Sequence, residues 1–145
     1  MKRQALALVV VVVAALSILA VGAVAAVAPG KYTGSLYQAS GAKIANAPAT
    51  VSVTGVKVTI NAPKLPINCQ AADGTYTMPE APMKFVFKGT LKGNNVSGTY
   101  APPLGGTGEY FVAKGRFIPA TKSFVGTLSF MGKCRGTATV RAKKA

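Results

Sequence analysis

Half of this 145-residue chain is hydrophobic, yet it carries 17 Lys and Arg against three Asp and Glu, a formal charge of +14. There is no histidine, which removes the usual general base, the Ser-His and Cys-His nucleophile pairs and the commonest metal ligand. The acids Asp73, Glu80 and Glu109 are scattered, which argues against a paired-carboxylate hydrolase. In chain order, Lys2 and Arg3 come first. An uncharged run of apolar and small residues follows from Ala5 to Ala28, broken only by Ser17. This is the layout of a secretory signal. Two A-x-A patterns end it, Ala23-Val24-Ala25 and Ala26-Val27-Ala28. Cleavage is expected after Ala25, because cutting after Ala28 would set the tertiary amide of Pro29 just beyond the scissile bond. The alternative is an uncleaved anchor, since about 20 apolar residues suffice to span a bilayer. Either way the remainder is expected outside the cytoplasm, secreted or attached to the envelope.

The expected organisation is thus a signal helix over 1–25, a short linker over 26–30 and a single domain over 31–145. That domain holds 15 Lys and Arg against three acids, or +12, and is of ordinary single-domain size. Gly and Pro recur throughout it, with apolar residues alternating between them, which is the strand signature. The early candidates are Lys31–Tyr37, Thr50–Val53, Val56–Ala62 and Leu65–Gln70, with Thr54-Gly55 as a tight turn. Later strands place Phe85, Phe87 and Leu91 on one face, opposite Lys84 and Lys88. Phe111, Ala113 and Phe117 oppose Lys114 and Arg116, while Phe124, Leu128 and Phe130 alternate with Ser123, Thr127 and Ser129. In the last strand Cys134, Ala138 and Val140 alternate with Arg135, Thr137, Thr139 and Arg141. Ala71–Pro82 and Pro102–Gly108 are expected as long irregular connections.

An internal repeat supports hairpins. Gly89-Thr90-Leu91 passes through a polar turn into Val96-Ser97-Gly98-Thr99-Tyr100. Gly115-Arg116-Phe117 does the same into Phe124-Val125-Gly126-Thr127-Leu128. Glycine inside a strand marks a bulge, strong coiling or close backbone approach. The fold expected is therefore all-β, an antiparallel barrel or sandwich of eight or nine short strands. Two cysteines in an exported chain, Cys69 and Cys134, are expected to pair, and strand parity turns both inward.

No catalytic residue, metal site or cofactor stands out. Asp73 and Glu80 share a loop but offer too few carboxylates for a calcium cage. Gly105-Gly106-Thr107-Gly108 precedes no helix that could receive an anion. Lys84, Lys88, Lys114, Arg116, Arg135 and Arg141 all fall on outward strand parity, and Lys92, Lys122 and Lys133 sit at turns. Such a surface suits anionic envelope polymers or lipid headgroups, with nucleic acid less favoured, and Tyr37 and Tyr110 share the outward parity. The bland reading is that outward positions simply need polar residues and that lysine guards sheet edges. An alternative function is a lipocalin-like barrel carrying a small apolar ligand among Phe85, Phe87, Phe111, Phe117, Phe124, Leu128 and Phe130. A cryptic enzyme comes third, and a monomer is the expected state.

The sequence also resembles a group of small exported two-cysteine, β-rich bacterial proteins of unknown function, from actinobacteria-like lineages. The resemblance lies in the Ala/Val-rich leader, Gly30-Lys31-Tyr32-Thr33-Gly34, the hairpin Val51-Ser52-Val53-Thr54-Gly55-Val56-Lys57-Val58, Cys69, and Cys134-Arg135-Gly136-Thr137 before a basic tail. It implies a compact β-fold with a disulfide and carries over no activity or functional residue. The reading that follows is a non-enzymatic exported β-domain that binds anionic surface partners.

Overall fold

The structure is a computed structural model and describes residues 26–65, 67–77, 83–100, 110–132 and 134–145. The expected signal over 1–25 and the connection 102–108 lie outside the described residues. Ten strands are present among those described: β1 (Gly30–Tyr37), β2 (Lys43–Thr54), β3 (Lys57–Leu65), β4 (Asn68–Gln70), β5 (Tyr76–Thr77), β6 (Met83–Lys92), β7 (Asn95–Tyr100), β8 (Tyr110–Ile118), β9 (Ser123–Met131) and β10 (Cys134–Lys144). The only helical element among the described residues is the 3₁₀ turn Pro119–Thr121.

Eight of the strands, in the order β1-β2-β3-β6-β7-β8-β9-β10, are paired antiparallel, and β1 also pairs with β10. That last ladder, from Tyr32↔Lys144 to Tyr37↔Thr139, closes the sheet on itself. The architecture is therefore a barrel and not a sandwich. The remaining two strands form a small hairpin, with β4 laid beside the start of β10 where β1 does not reach.

Alternation in the sequence becomes inside and outside. Tyr32, Leu36, Val51, Val53, Val58, Ile60, Phe85, Phe87, Phe117, Phe124, Leu128 and Val140 are all buried. Six inward rings fill much of the interior by touching one another. Tyr32 meets Phe117 at 5.1 Å between centroids, Phe117 meets Phe124 at 4.8 Å, and Phe130 meets Phe85 at 5.0 Å and Phe87 at 5.7 Å. Most of these pairs are edge-to-face, the favoured geometry for aromatic quadrupoles.

Inward glycines let strands and rings pack closely. The repeat legible in the sequence becomes two cross-strand glycine pairs, Gly89↔Gly98 on β6 and β7 and Gly115↔Gly126 on β8 and β9. The Phe124 ring lies over the second pair, in space that a Cβ on either glycine would enter. Gly34 plays a related part at the closure. A Cβ there would collide with the Arg141 carbonyl and the Ala142 backbone, so β1 approaches β10 only because position 34 has no side chain.

Three strand expectations need correction. β2 begins at Lys43 rather than Thr50. Asn46 adopts a left-handed φ of 51° where the pairing with β1 shifts register, and Ala47 and Ala49 are buried. The stretch expected as one strand over Leu65–Gln70 is divided, with β3 ending at Leu65 and β4 starting at Asn68. β5 occupies part of the connection expected to be irregular, because a two-residue strand has too little length to show alternation.

Cys69 and Cys134 are bonded and are directly opposed in the β4–β10 ladder, with Cα atoms 3.9 Å apart. Both pack against the core. They are 65 residues apart in sequence, and closing a loop of that length stabilises the fold by about 4 kcal/mol in the chain-entropy model. Beyond that bond, β4 meets β10 through only two residue pairs.

Two outcomes follow. Gly34→Ala is expected to lower stability by about 1–3 kcal/mol through overpacking against backbone. Gly93→Ala, in open space but at φ 60°, should cost about 1–2 kcal/mol through backbone strain alone. Urea unfolding followed by circular dichroism measures both. Reduction of the disulfide is expected to release the amides of β4 and β5 to hydrogen exchange well before those of β8 and β9. Equal loss of protection throughout would show that the bond holds the whole barrel.

Candidate functional site

The six expected outward cations are all exposed. Closure of the barrel distributes them around its wall, so they do not make one face. Lys84 and Lys88 stand on β6, Lys114 and Arg116 on β8, and Arg135 and Arg141 on β10. The register shows which of them come near one another. Lys88 pairs with Thr99, and Lys114 with Ser97, so these lysines lie diagonally across β7, with Cα atoms about 12 Å apart by strand spacing and rise. Arg116 and Arg141 share a row, separated by the half-exposed Val125 of β9.

Between Lys88 and Lys114 the wall forms a shallow open groove floored by Gly89 and Gly98 and lined by Thr90, Ser97, Thr99 and Val112. It offers hydroxyls and one ammonium group, without a buried polar side chain to orient a ligand. A second concavity lies at the other end of the molecule, beside Met131, Gly132, Arg135 and Thr137.

Two of the cations are held in place by aromatic rings. The Arg135 guanidinium sits 4.6 Å from the centre of the Tyr76 ring, and Arg141 sits 4.6 Å from that of Tyr37. Tyr37, expected on the outward parity, has its ring covered by an arginine. The side chain of Tyr110 lies outside what the structure describes. The cation–π contacts reduce the conformational freedom of both arginines while leaving their charge in water.

Fourteen Lys and Arg lie among the described residues, with Asp73 as the one carboxylate side chain. That carboxylate is occupied locally. Its Oδ1 accepts from the Thr75 backbone N–H at 3.0 Å and from the Thr75 hydroxyl at 2.6 Å. The two bonds favour the charged form and hold Asp73 below the usual carboxylate range. Glu80 lies outside the described residues, so the expected weakness of a calcium site there is not addressed. Among the described residues no three His, Cys, Asp or Glu come together.

Of the residues considered for a ligand cavity, Phe85, Phe87, Phe117, Phe124, Leu128 and Phe130 are buried, and Phe111 lies outside the described side chains. The aromatic contacts above are contacts of these rings with each other. Sequence reasoning missed the way the turns at one end of the barrel gather cations, because that grouping depends on which strand ends meet after closure. No known protein family and no curated protein matches this chain.

The Asp73 interaction has a measurable sign. Because the folded protein holds the group below its ordinary value, the turn it supports is firm above the unfolded carboxylate range and loosens as pH falls through the folded value. Acid titration is therefore expected to move the Thr75 amide resonance, and Asp73→Asn should abolish that acid-side movement. A Thr75 shift that persists in the variant would assign it to another group.

Proposed function

We propose that this protein is an exported, non-enzymatic binding domain whose cationic exterior holds it against an anionic surface of the cell envelope. The observation that carries this reading is the set of fourteen described cations facing a single described carboxylate, which is bound to Thr75. With no other carboxylate side chain among the described residues to neutralise them, these charges attract anions from outside the molecule.

Barrel closure bears on the bland alternative. Lys88 and Lys114 have no edge to guard, since β6 and β8 are paired on both sides at those positions. Outward positions need only be polar, and β7 fills them with Asn95, Ser97 and Thr99. The lysines beside it therefore add charge that solubility in the barrel context does not demand. The disulfide fits an oxidising compartment outside the cytoplasm, in keeping with the export signal expected over 1–25. The lipocalin-like alternative draws no support from an interior whose described rings pack on one another.

The test is a salt series on the oxidised protein with isolated anionic envelope polymer, anionic vesicles and DNA. Saturable binding at low ionic strength is expected, and it should fall steeply by physiological salt, where exposed charge is screened within about 8 Å. Absence of binding at low salt to every anionic partner would sink the proposal, as would binding indifferent to salt.

A further inference from the structure

The two ends of the barrel differ. At one end lie the β2–β3, β6–β7 and β8–β9 turns, the start of β1 and the end of β10, and every turn of this rim falls within the described residues. Backbone hydrogen bonds tie it together around the circumference. Leu91 N–H donates to the Val56 carbonyl at 2.7 Å, Phe117 N–H to Asn94 at 2.8 Å, and Lys144 N–H to Lys122 at 2.9 Å. Two of the turns are two-residue hairpins with a left-handed glycine first, Gly55 at φ 59° and Gly93 at φ 60°. The rim is a built surface whose side chains are presented at fixed positions.

What it presents is positive charge with apolar side chains among it. Lys31, Lys57, Lys92, Lys122 and Lys143 are exposed there. Val56 stands 62 % exposed next to Lys57, and Ile118 is 40 % exposed before the turn that ends at Lys122. No Asp or Glu lies at this rim among the described residues.

The chain also enters the domain here. Lys144 Nζ donates to the Pro29 carbonyl at 2.7 Å, the Tyr32 hydroxyl donates to the Ala28 carbonyl at 2.8 Å, and Val27 packs on the core. Residues 26–29 are thus fastened to the rim and leave no free spacer. Directly before them runs the uncharged segment from Ala5 to Ala25, long enough to cross a bilayer.

We propose that this rim is a membrane-docking surface and that its partner is an anionic phospholipid bilayer. The inference rests on the reading of the exterior as a binder of anionic surfaces, and narrows it to one end and one partner. Lipid suits the rim better than a soluble polymer for two reasons. Exposed apolar side chains set among lysines can enter the boundary between headgroups and acyl chains, whereas a polyanion has no use for them. The fastened linker also holds the rim beside whatever membrane the N-terminal segment occupies, during export or afterwards. Apolar insertion and a polybasic patch are the two signals that together give stable attachment.

The chain contains no tryptophan, so a single introduced one reports its own surroundings. Val56→Trp places it on the rim, and Met131→Trp places it at the opposite end, where Met131 is equally exposed at 62 %. Each variant is purified from the exported fraction with the N-terminus the cell leaves. It is then mixed with zwitterionic vesicles or with vesicles containing phosphatidylglycerol and brominated lipid. The expected result is a blue shift and bromine quenching of the residue-56 probe in anionic vesicles only, with the residue-131 probe unchanged. Lys57→Gln should weaken partitioning about fivefold, and Lys84→Gln should leave it nearly unchanged. Salt-sensitive preference for anionic vesicles without quenching at position 56, or with quenching at position 131, overturns the rim assignment and leaves the broader reading standing. No such preference at low salt overturns the membrane assignment, and the broader reading falls with it only if anionic envelope polymer and DNA also fail to bind.

Discussion

Closing the sheet between β1 and β10 is the constraint on which the rest of the molecule depends. Gly34 stands against the Ala142 backbone with no space for a Cβ. The closure removes the two edges that an open sheet would expose, and so replaces any need to shield them. It also fixes the size of the interior. Eight strands leave a lumen that side chains can fill, provided large and small inward residues are distributed to match. Here that distribution sets Phe124 over Gly115 and Gly126, and Phe130 between Phe85 and Phe87.

The same closure organises the surface. Outward residues of an open sheet would share one face. In this barrel they look in all directions, so the cations of β6, β8 and β10 do not converge. Convergence occurs where strands end. Hairpin turns require glycine for their backbone geometry and leave the flanking positions free, and at one rim those positions are lysines. Because the N-terminal linker is bound at that rim by Lys144 and Tyr32, this cationic rim lies where the most apolar segment of the chain joins the domain. Proximity of that kind links the packing of a single lysine to the orientation proposed for the whole domain.

The disulfide does something different. It joins β4 to β10 outside the closed ring and thereby holds the β4–β5 hairpin, which few other contacts secure. The hairpin in turn supplies Tyr76 beneath Arg135. The bond thus secures one appendage and its arginine, while the barrel wall is held by eight ladders of its own.

By itself the sequence determined local matters. Period-two alternation in segments such as Ser123–Met131 fixed which side chains face the core, because a strand has no other way to bury them. The glycine-punctuated repeat announced two hairpins, and inward parity at Cys69 and Cys134 anticipated their bond. Asn46, Pro48 and the two-residue β5 escaped because breakers and very short strands acquire their conformation from neighbours. Only the tertiary structure decided that the sheet closes into a barrel, since closure depends on a contact between Gly34 and Ala142, residues far apart in the chain with no local signature. It also decided which lysines gather, because strand parity specifies inside or outside, whereas proximity around a rim depends on where distant turns come to rest.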